Sequence, residues 1–320
     1  MADKWVLLIP GACNALAIDP QTPATMYVST SPGAMKSIDG GSSWRMVNFG
    51  QFSPQVSQLL IDPKSPQTIH ASTSAGLLKT TDGGESWEAV TTTGLSGPFY
   101  LVIDPLTPTI MYAATNTTVF KSTDGASTWS AIRTLNDAVG GNGGWINSSV
   151  ALMIDPVTPS NLYASFAAQQ PPGYFDLPVY GLSHSPDGGA SWKNITPDAL
   201  LLAGQGTMGI DPQTPAKFYL ISGNNVYSTT DSGANWGTPT PISGNISVLI
   251  IDSRLSPSIM YAGSNGSGVS RSADGGVSWT AFNDGLFNLN VPILALDPVN
   301  TSVLYAATSS GVFKWSPDPA

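Results

Sequence analysis

One eight-residue signature, written six times at near-constant spacing, constrains this chain more than anything else in it. It first reads Ser37-Ile38-Asp39-Gly40-Gly41-Ser42-Ser43-Trp44 and recurs at 80–87, 122–129, 185–192, 229–236 and 272–279. Its aspartates, Asp39, Asp82, Asp124, Asp187, Asp231 and Asp274, are spaced by 43, 42, 63, 44 and 43 residues, and each copy ends on a tryptophan: Trp44, Trp87, Trp129, Trp192, Trp236 and Trp279. A period of that length marks one supersecondary unit repeated along the chain, stacked so that neighbours bury a core no unit could bury alone.

A second signature keeps step with the first. An apolar residue and an Asp, usually followed by Pro, precede a Tyr-rich segment at Asp19, Asp62, Asp104, Asp155, Asp211, Asp252 and Asp297, which makes seven units. From this Asp to the next Asp of the first signature is 20 residues in four units, 22 in the sixth and 32 in the fourth. Apolar and β-branched runs bounded by Pro and Gly are strand signals. Unit two parses as Gln58 to Ile61, Thr68 to Ser72, Gly76 to Thr80 and Trp87 to Val90. Four short strands in a meander, repeated radially, predict an all-β, seven-bladed β-propeller of four-stranded antiparallel blades over residues 1–320, with blades starting near 15, 58, 100, 151, 207, 248 and 293.

In the repeated turn, Gly supplies positive φ, the Asp carboxylate can accept the turn's own N–H groups, and the Ser or Thr hydroxyl supports it. Its Trp then starts the fourth strand and packs between blades. The seventh unit stops at Gly311-Val312-Phe313-Lys314, before any such Trp, while Lys4-Trp5-Val6-Leu7-Leu8 matches the start of a fourth strand. Residues 4–9 are therefore expected to complete the last blade and cover its open edge. Six blades with a decorated half-unit is the competing count.

Ser/Thr-x-Asp-x-Gly-x-x-Trp is the Asp-box, or BNR, repeat. The chain resembles the Asp-box propellers of sialidases, sortilin-type receptors, tandem-propeller xyloglucanases and the photosystem II assembly factor. The third box departs from the pattern with Ala126 at the usual Gly position, and the fifth has Asn235 before its Trp. Because this box marks architecture across unrelated activities, function must be read from a site.

A formal charge of −9 with scattered Lys and Arg lacks the basic patch that neutralises phosphates, so nucleic acid is not an expected partner. Much of the acidity belongs to the two signatures. The single Cys13 forms no internal disulfide, and no apolar run is long enough to insert in a membrane. The composition suggests an extracellular or periplasmic monomer.

The two stretches that break the period point to a site. From Trp129 to Asp155 is 26 residues against 16 to 19 elsewhere, which lengthens the loop Leu135 to Asn147; blade four then carries extra residues within Phe166 to Tyr180. Both fall on the loops opposite the signatures. They hold aromatic faces at Trp145, Tyr174, Phe175 and Tyr180 and planar hydrogen-bonding groups at Asn142, Asn147, Gln169 and Gln170. Apolar faces beside such groups suit a glycan, or a protein surface, and predict a noncatalytic recognition module.

The alternative is a glycoside hydrolase or lyase using the nonrepeated Asp137, Asp176, Asp198 and Asp284, which requires two carboxylates about 5 to 9 Å apart. The sialidase reading fails on inventory: that family uses three arginines, a Tyr nucleophile and a Glu, whereas this chain has only Arg45, Arg133, Arg254 and Arg271, in different strand phases, and only Glu85 and Glu88, both beside box two. His70 stands where other units have a strand-two Tyr, and His184 precedes box four, so both read as repeat variants. No metal site or cofactor motif is expected.

Overall fold

The computed structural model describes residues 4–30, 33–50, 55–91, 95, 99–115, 118–134, 145–169, 179–196 and 206–317. Every regular element among them is a strand. β1 (Val6–Pro10) opens the chain. Blade one is β2 (Leu16–Ile18), β3 (Met26–Thr30), β4 (Gly33–Ser37) and β5 (Arg45–Met46), and blade two is β6 (Val56–Ile61), β7 (Ile69–Thr73), β8 (Gly76–Thr80) and β9 (Glu88–Ala89). Blade three is β10 (Tyr100–Ile103), β11 (Met111–Ala114), β12 (Thr118–Ser122) and β13 (Ser130–Thr134), and blade four is β14 (Trp145–Ile154), β15 (Leu162–Gln169), β16 (Val179–Ser185) and β17 (Lys193–Asn194). Blade five is β18 (Gly206–Ile210), β19 (Phe218–Ser222), β20 (Asn225–Thr229) and β21 (Thr240–Pro241). Blade six is β22 (Asn245–Asp252), β23 (Ile259–Asn265), β24 (Gly268–Ser272) and β25 (Thr280–Ala281), and β26 (Ile293–Leu296), β27 (Leu304–Thr308) and β28 (Gly311–Trp315) begin blade seven.

Each blade is one four-stranded antiparallel sheet in meander order, and β1 is the fourth strand of the seventh. The fold class is a seven-bladed β-propeller. Two compact units hold the blades: Met1–Val90 with Ile242–Ala320 carries blades one, two, six and seven, and Thr91–Pro241 carries blades three, four and five.

The Asp-Pro signature closes the turn between the first two strands. Asp19 Oδ1 accepts the N–H groups of Gln21 at 2.8 Å and Thr22 at 3.0 Å, and the Asp19 N–H donates to Thr25 O. The same set recurs at Asp62, Asp104, Asp155, Asp211 and Asp297. Pro suits such a turn because its missing N–H is not needed there.

The Asp-box closes the turn between the third and fourth strands. Ser37 Oγ donates to Asp39 Oδ1 and accepts the Gly41 N–H, while Asp39 takes the Ser43 N–H at 2.8 Å and the Ser43 hydroxyl at 2.5 Å. In box five, Asn235 Nδ2 donates to Asp231 Oδ2 in place of that hydroxyl, so the departure preserves the bond. Ala126 holds φ at 76°, the left-handed conformation its glycine counterparts Gly41, Gly84, Gly189, Gly233 and Gly276 adopt freely. Both signatures lie at the same end of a blade: the Gly40, Gly83, Gly125, Gly188 and Ser232 N–H groups each donate to a carbonyl just ahead of that blade's second strand.

The register repeats a cross-strand pair in every blade: Tyr27 with Lys36, His70 with Lys79, Tyr112 with Lys121, Tyr163 with His184, Tyr219 with Ser228, Tyr261 with Arg271 and Tyr305 with Lys314. In blades one and three the pair ties its blade to the next. Tyr27 Oη and Lys36 Nζ both donate to Gly83 O, at 2.9 and 2.8 Å, and Tyr112 and Lys121 do the same to Gly188 O. Burial, with the Asp19 charge adding to it, pushes the Tyr27 phenol up to about 12.

β1 closes blade seven as its sequence implies. Val6 pairs with Lys314, just as Arg45 pairs with Lys36 and Glu88 with Lys79, so Trp5 stands at the register of a box Trp. Its indole donates to Phe282 O at 2.8 Å, its N–H donates to Asp284 O, and it is 3% exposed. The six box tryptophans are only half-buried.

Candidate functional site

Blade four is where the repeat is stretched, and the stretch extends strands. β14 runs ten residues, with β15 at eight and β16 at seven. Trp145 to Asn147, read from the sequence as loop, belong to β14, because the inserted segments continue the hydrogen-bonded ladder. Trp145 pairs with Gln169, and Tyr180 pairs with Ala167, so Trp145, Asn147, Gln169 and Tyr180 gather at one end of a three-stranded sheet. Register shifts after Ile146 and Ser148 mark bulges in β14, where the strand bends and its twist tightens. Asn142, Gln170, Tyr174, Phe175, Asp137, Asp176 and Asp198 lie outside the described residues.

Of the four nonrepeated aspartates, only Asp284 is described; it is exposed, and its backbone carbonyl holds the Trp5 N–H. The arginines serve the scaffold. Arg45 pairs with Glu85, Arg254 Nε lies 3.4 Å from Asp252, Arg133 sits over the Trp192 ring at 4.8 Å, and Arg271 occupies the cross-strand pair position of blade six.

His184 takes the place of a strand-three cation. Its ring stacks on Tyr163 at 4.7 Å and 14°, and Nε2 lies 3.2 Å from Asn161 Oδ1, whose own amide donates to Asp155. Burial pushes its pKa below the usual value, against the pull of the Asp155 and Asp187 charges. His70, 2% exposed, occupies the corresponding Tyr position in blade two. Cys13 is buried, its thiol donating to Ala15 O at 3.1 Å, and burial raises its pKa. Among the described residues no three His, Cys, Asp or Glu gather as metal ligands.

A groove of about 500 Å³ opens between the outer strand of blade four and the box of blade five. Lys193, Asn194, Ile195 and Thr196 form one wall, and Tyr227 and Gly233 to Gly237, with Pro239, form the other. In blade five the fourth strand starts only at Thr240, four residues after Trp236, whereas β5, β9, β13, β17 and β25 start one residue after theirs, and Pro239 and Pro241 have no N–H to give to the ladder. Nothing in the boxes themselves marks this groove in the sequence. Its signal lies just past them, in Lys193 after Trp192 and in Pro239 and Pro241 after Trp236.

No family model and no curated protein sequence matches the chain. Solved structures do. An ancestral GH74 enzyme superposes with a TM-score of 0.72 at 17% identity, over 99% of this chain and 46% of that one. YCF48 from Cyanidioschyzon merolae gives 0.71 at 15% identity, over 99% and 100%, and a structure of YCF48 bound to D1 peptide gives 0.66 at 15% identity, over 99% and 97%. The extracellular domain of BT4673 from B. thetaiotaomicron gives 0.70 at 10% identity, over 100% and 44%. This chain thus spans under half of the GH74 and BT4673 chains and all of YCF48. At these identities the likeness is one of fold: the chain has the seven-bladed architecture of this propeller group.

Proposed function

We propose that this chain is a noncatalytic recognition propeller that binds a glycan or a protein segment over blade four, working as a monomer in an extracellular or periplasmic setting. The observation that carries the reading is the extension of β14 to β16, the longest three-stranded run among the described residues, with Trp145, Gln169 and Tyr180 at its end. Backbone in a hydrogen-bonded sheet is held more firmly than in a free loop, and a preorganised contact set loses less entropy on binding. Two likenesses support recognition: YCF48 has been seen bound to a peptide, and the BT4673 structure is of an extracellular domain.

Parallel glycan and peptide arrays test the reading. The expected result is binding on one of them, weakened at least about tenfold, or by about 1.4 kcal/mol, by Trp145→Ala or Tyr180→Ala with the melting temperature unchanged. Silence on both arrays, or binding indifferent to both substitutions, overturns it.

A further inference from the structure

A second site, independent of blade four's extension, lies beside Lys193. Only β5 and β17 among the fourth strands begin with a cation, Arg45 after Trp44 and Lys193 after Trp192. Arg45 Nη2 bonds Glu85 Oε1 in the box of blade two, and Lys36 Nζ stands 3.9 Å from the same oxygen. Glu85 lies two residues before Trp87. The residue two before Trp236 is Ala234. The carboxylate that meets the cation in one seam is thus replaced by a methyl group in the other, and Lys193 and Ala234 face the 500 Å³ groove.

No carboxylate is among the groove's lining residues. The acid of that box, Asp231, is committed to Thr229, to the Asn235 N–H and to the Asn235 amide. Among the described residues Lys193 makes no ion pair, in a chain of net charge −9. The rest of the groove suits a hydroxylated ring. Half-buried Trp236 is fixed by its indole N–H on Ile195 O at 3.1 Å and by Phe218 at 87°, and Tyr227 is 5% exposed. Asn194 Oδ1 accepts both the Thr196 N–H and hydroxyl, which leaves its amide N–H groups as donors.

We propose that this groove binds a carboxylate-bearing sugar of the uronic acid class. The sugar carboxylate meets Lys193 as Glu85 meets Arg45, a charge-assisted contact. The sugar's C–H face packs on Trp236, and its hydroxyls take the Asn194 amide.

Titration calorimetry and amide NMR with methyl glucuronoside, methyl glucoside and acetate test this. The glucuronoside should bind saturably and shift the Trp236 indole and Asn194 side-chain signals, with the glucoside and acetate each at least about tenfold weaker. Lys193→Gln should weaken binding by a similar factor. So should Ala234→Glu, by supplying the internal carboxylate, while Ala234→Gln should weaken it less. Both positions are exposed, so melting temperatures should hold; if either variant unfolds, the wild-type ligand series decides. Absence of saturable glucuronoside binding, equal binding of the glucoside or acetate, shifts confined to other blades, or indifference to Lys193→Gln overturns the proposal.

Discussion

Gly41 shows how strictly a single backbone angle governs the box. It sits at φ +90° with a buried backbone, and a Cβ there would stand 2.6 Å from Leu8 Cδ1. Left-handed φ costs an L-residue about 1–2 kcal/mol, and Leu8 must also move. Gly41→Ala is therefore expected to lower unfolding free energy by about that amount, measured by denaturant titration, with no change in the slope. Ala126 shows that the cost can be carried: it holds the same position at φ 76° and 0% exposure, so its methyl group regains by burial part of what its backbone loses. A box glycine whose replacement by Ala cost nothing would mean that the turn relaxes rather than resists.

Among the elements, β1 is the one whose position in sequence least resembles its position in space. It is the first strand of the chain and the last strand of its sheet, and Trp5 brings to blade seven what Trp44 brings to blade one. Because Trp5 is 3% exposed, Trp5→Ala should cost about 3–5 kcal/mol by thermal or chemical unfolding. Trp44→Ala should cost less, since its ring is half-buried and already shares its seam with solvent. Equal losses would show that the N-terminal strand adds nothing beyond an ordinary seam. Trp5 and its partner strand were legible in advance because the repeat left one slot at each end. The course of blade four was not: nothing in Trp145-Ile146-Asn147 distinguishes a long loop from a long strand, since that depends on whether Gln169, Ala168 and Ala167 come alongside to complete the ladder.

Summed over the whole molecule, the boxes act as an acid-sensitive set. Hydrogen bonds from the residue before each Trp, then from the Ser or Thr that opens the box, hold Asp39, Asp124, Asp187, Asp231 and Asp274 down to about 2 from an ordinary 3.8, and hold Asp82 lower still. A depressed carboxylate contributes stability that is complete above its unfolded value and fades as pH falls through its folded one. Melting temperature should therefore fall steeply between about pH 4 and pH 2, and Asp231→Asn should shallow that slope; an unchanged melting temperature down to pH 2 would sink the idea. His184 adds a weaker limb of the same sign, since its lowered pKa means that stability drops as pH falls below 6.5. The blade count, the turn chemistry and the closing strand were all written in the sequence, because each rests on local geometry repeated at a fixed interval. The strand-to-strand pairing of Tyr with Lys, the half-burial of the box tryptophans and the groove beside Lys193 were decided only in three dimensions. They depend on which residues from different units share a seam, and a period counts residues along the chain without recording what stands across from them.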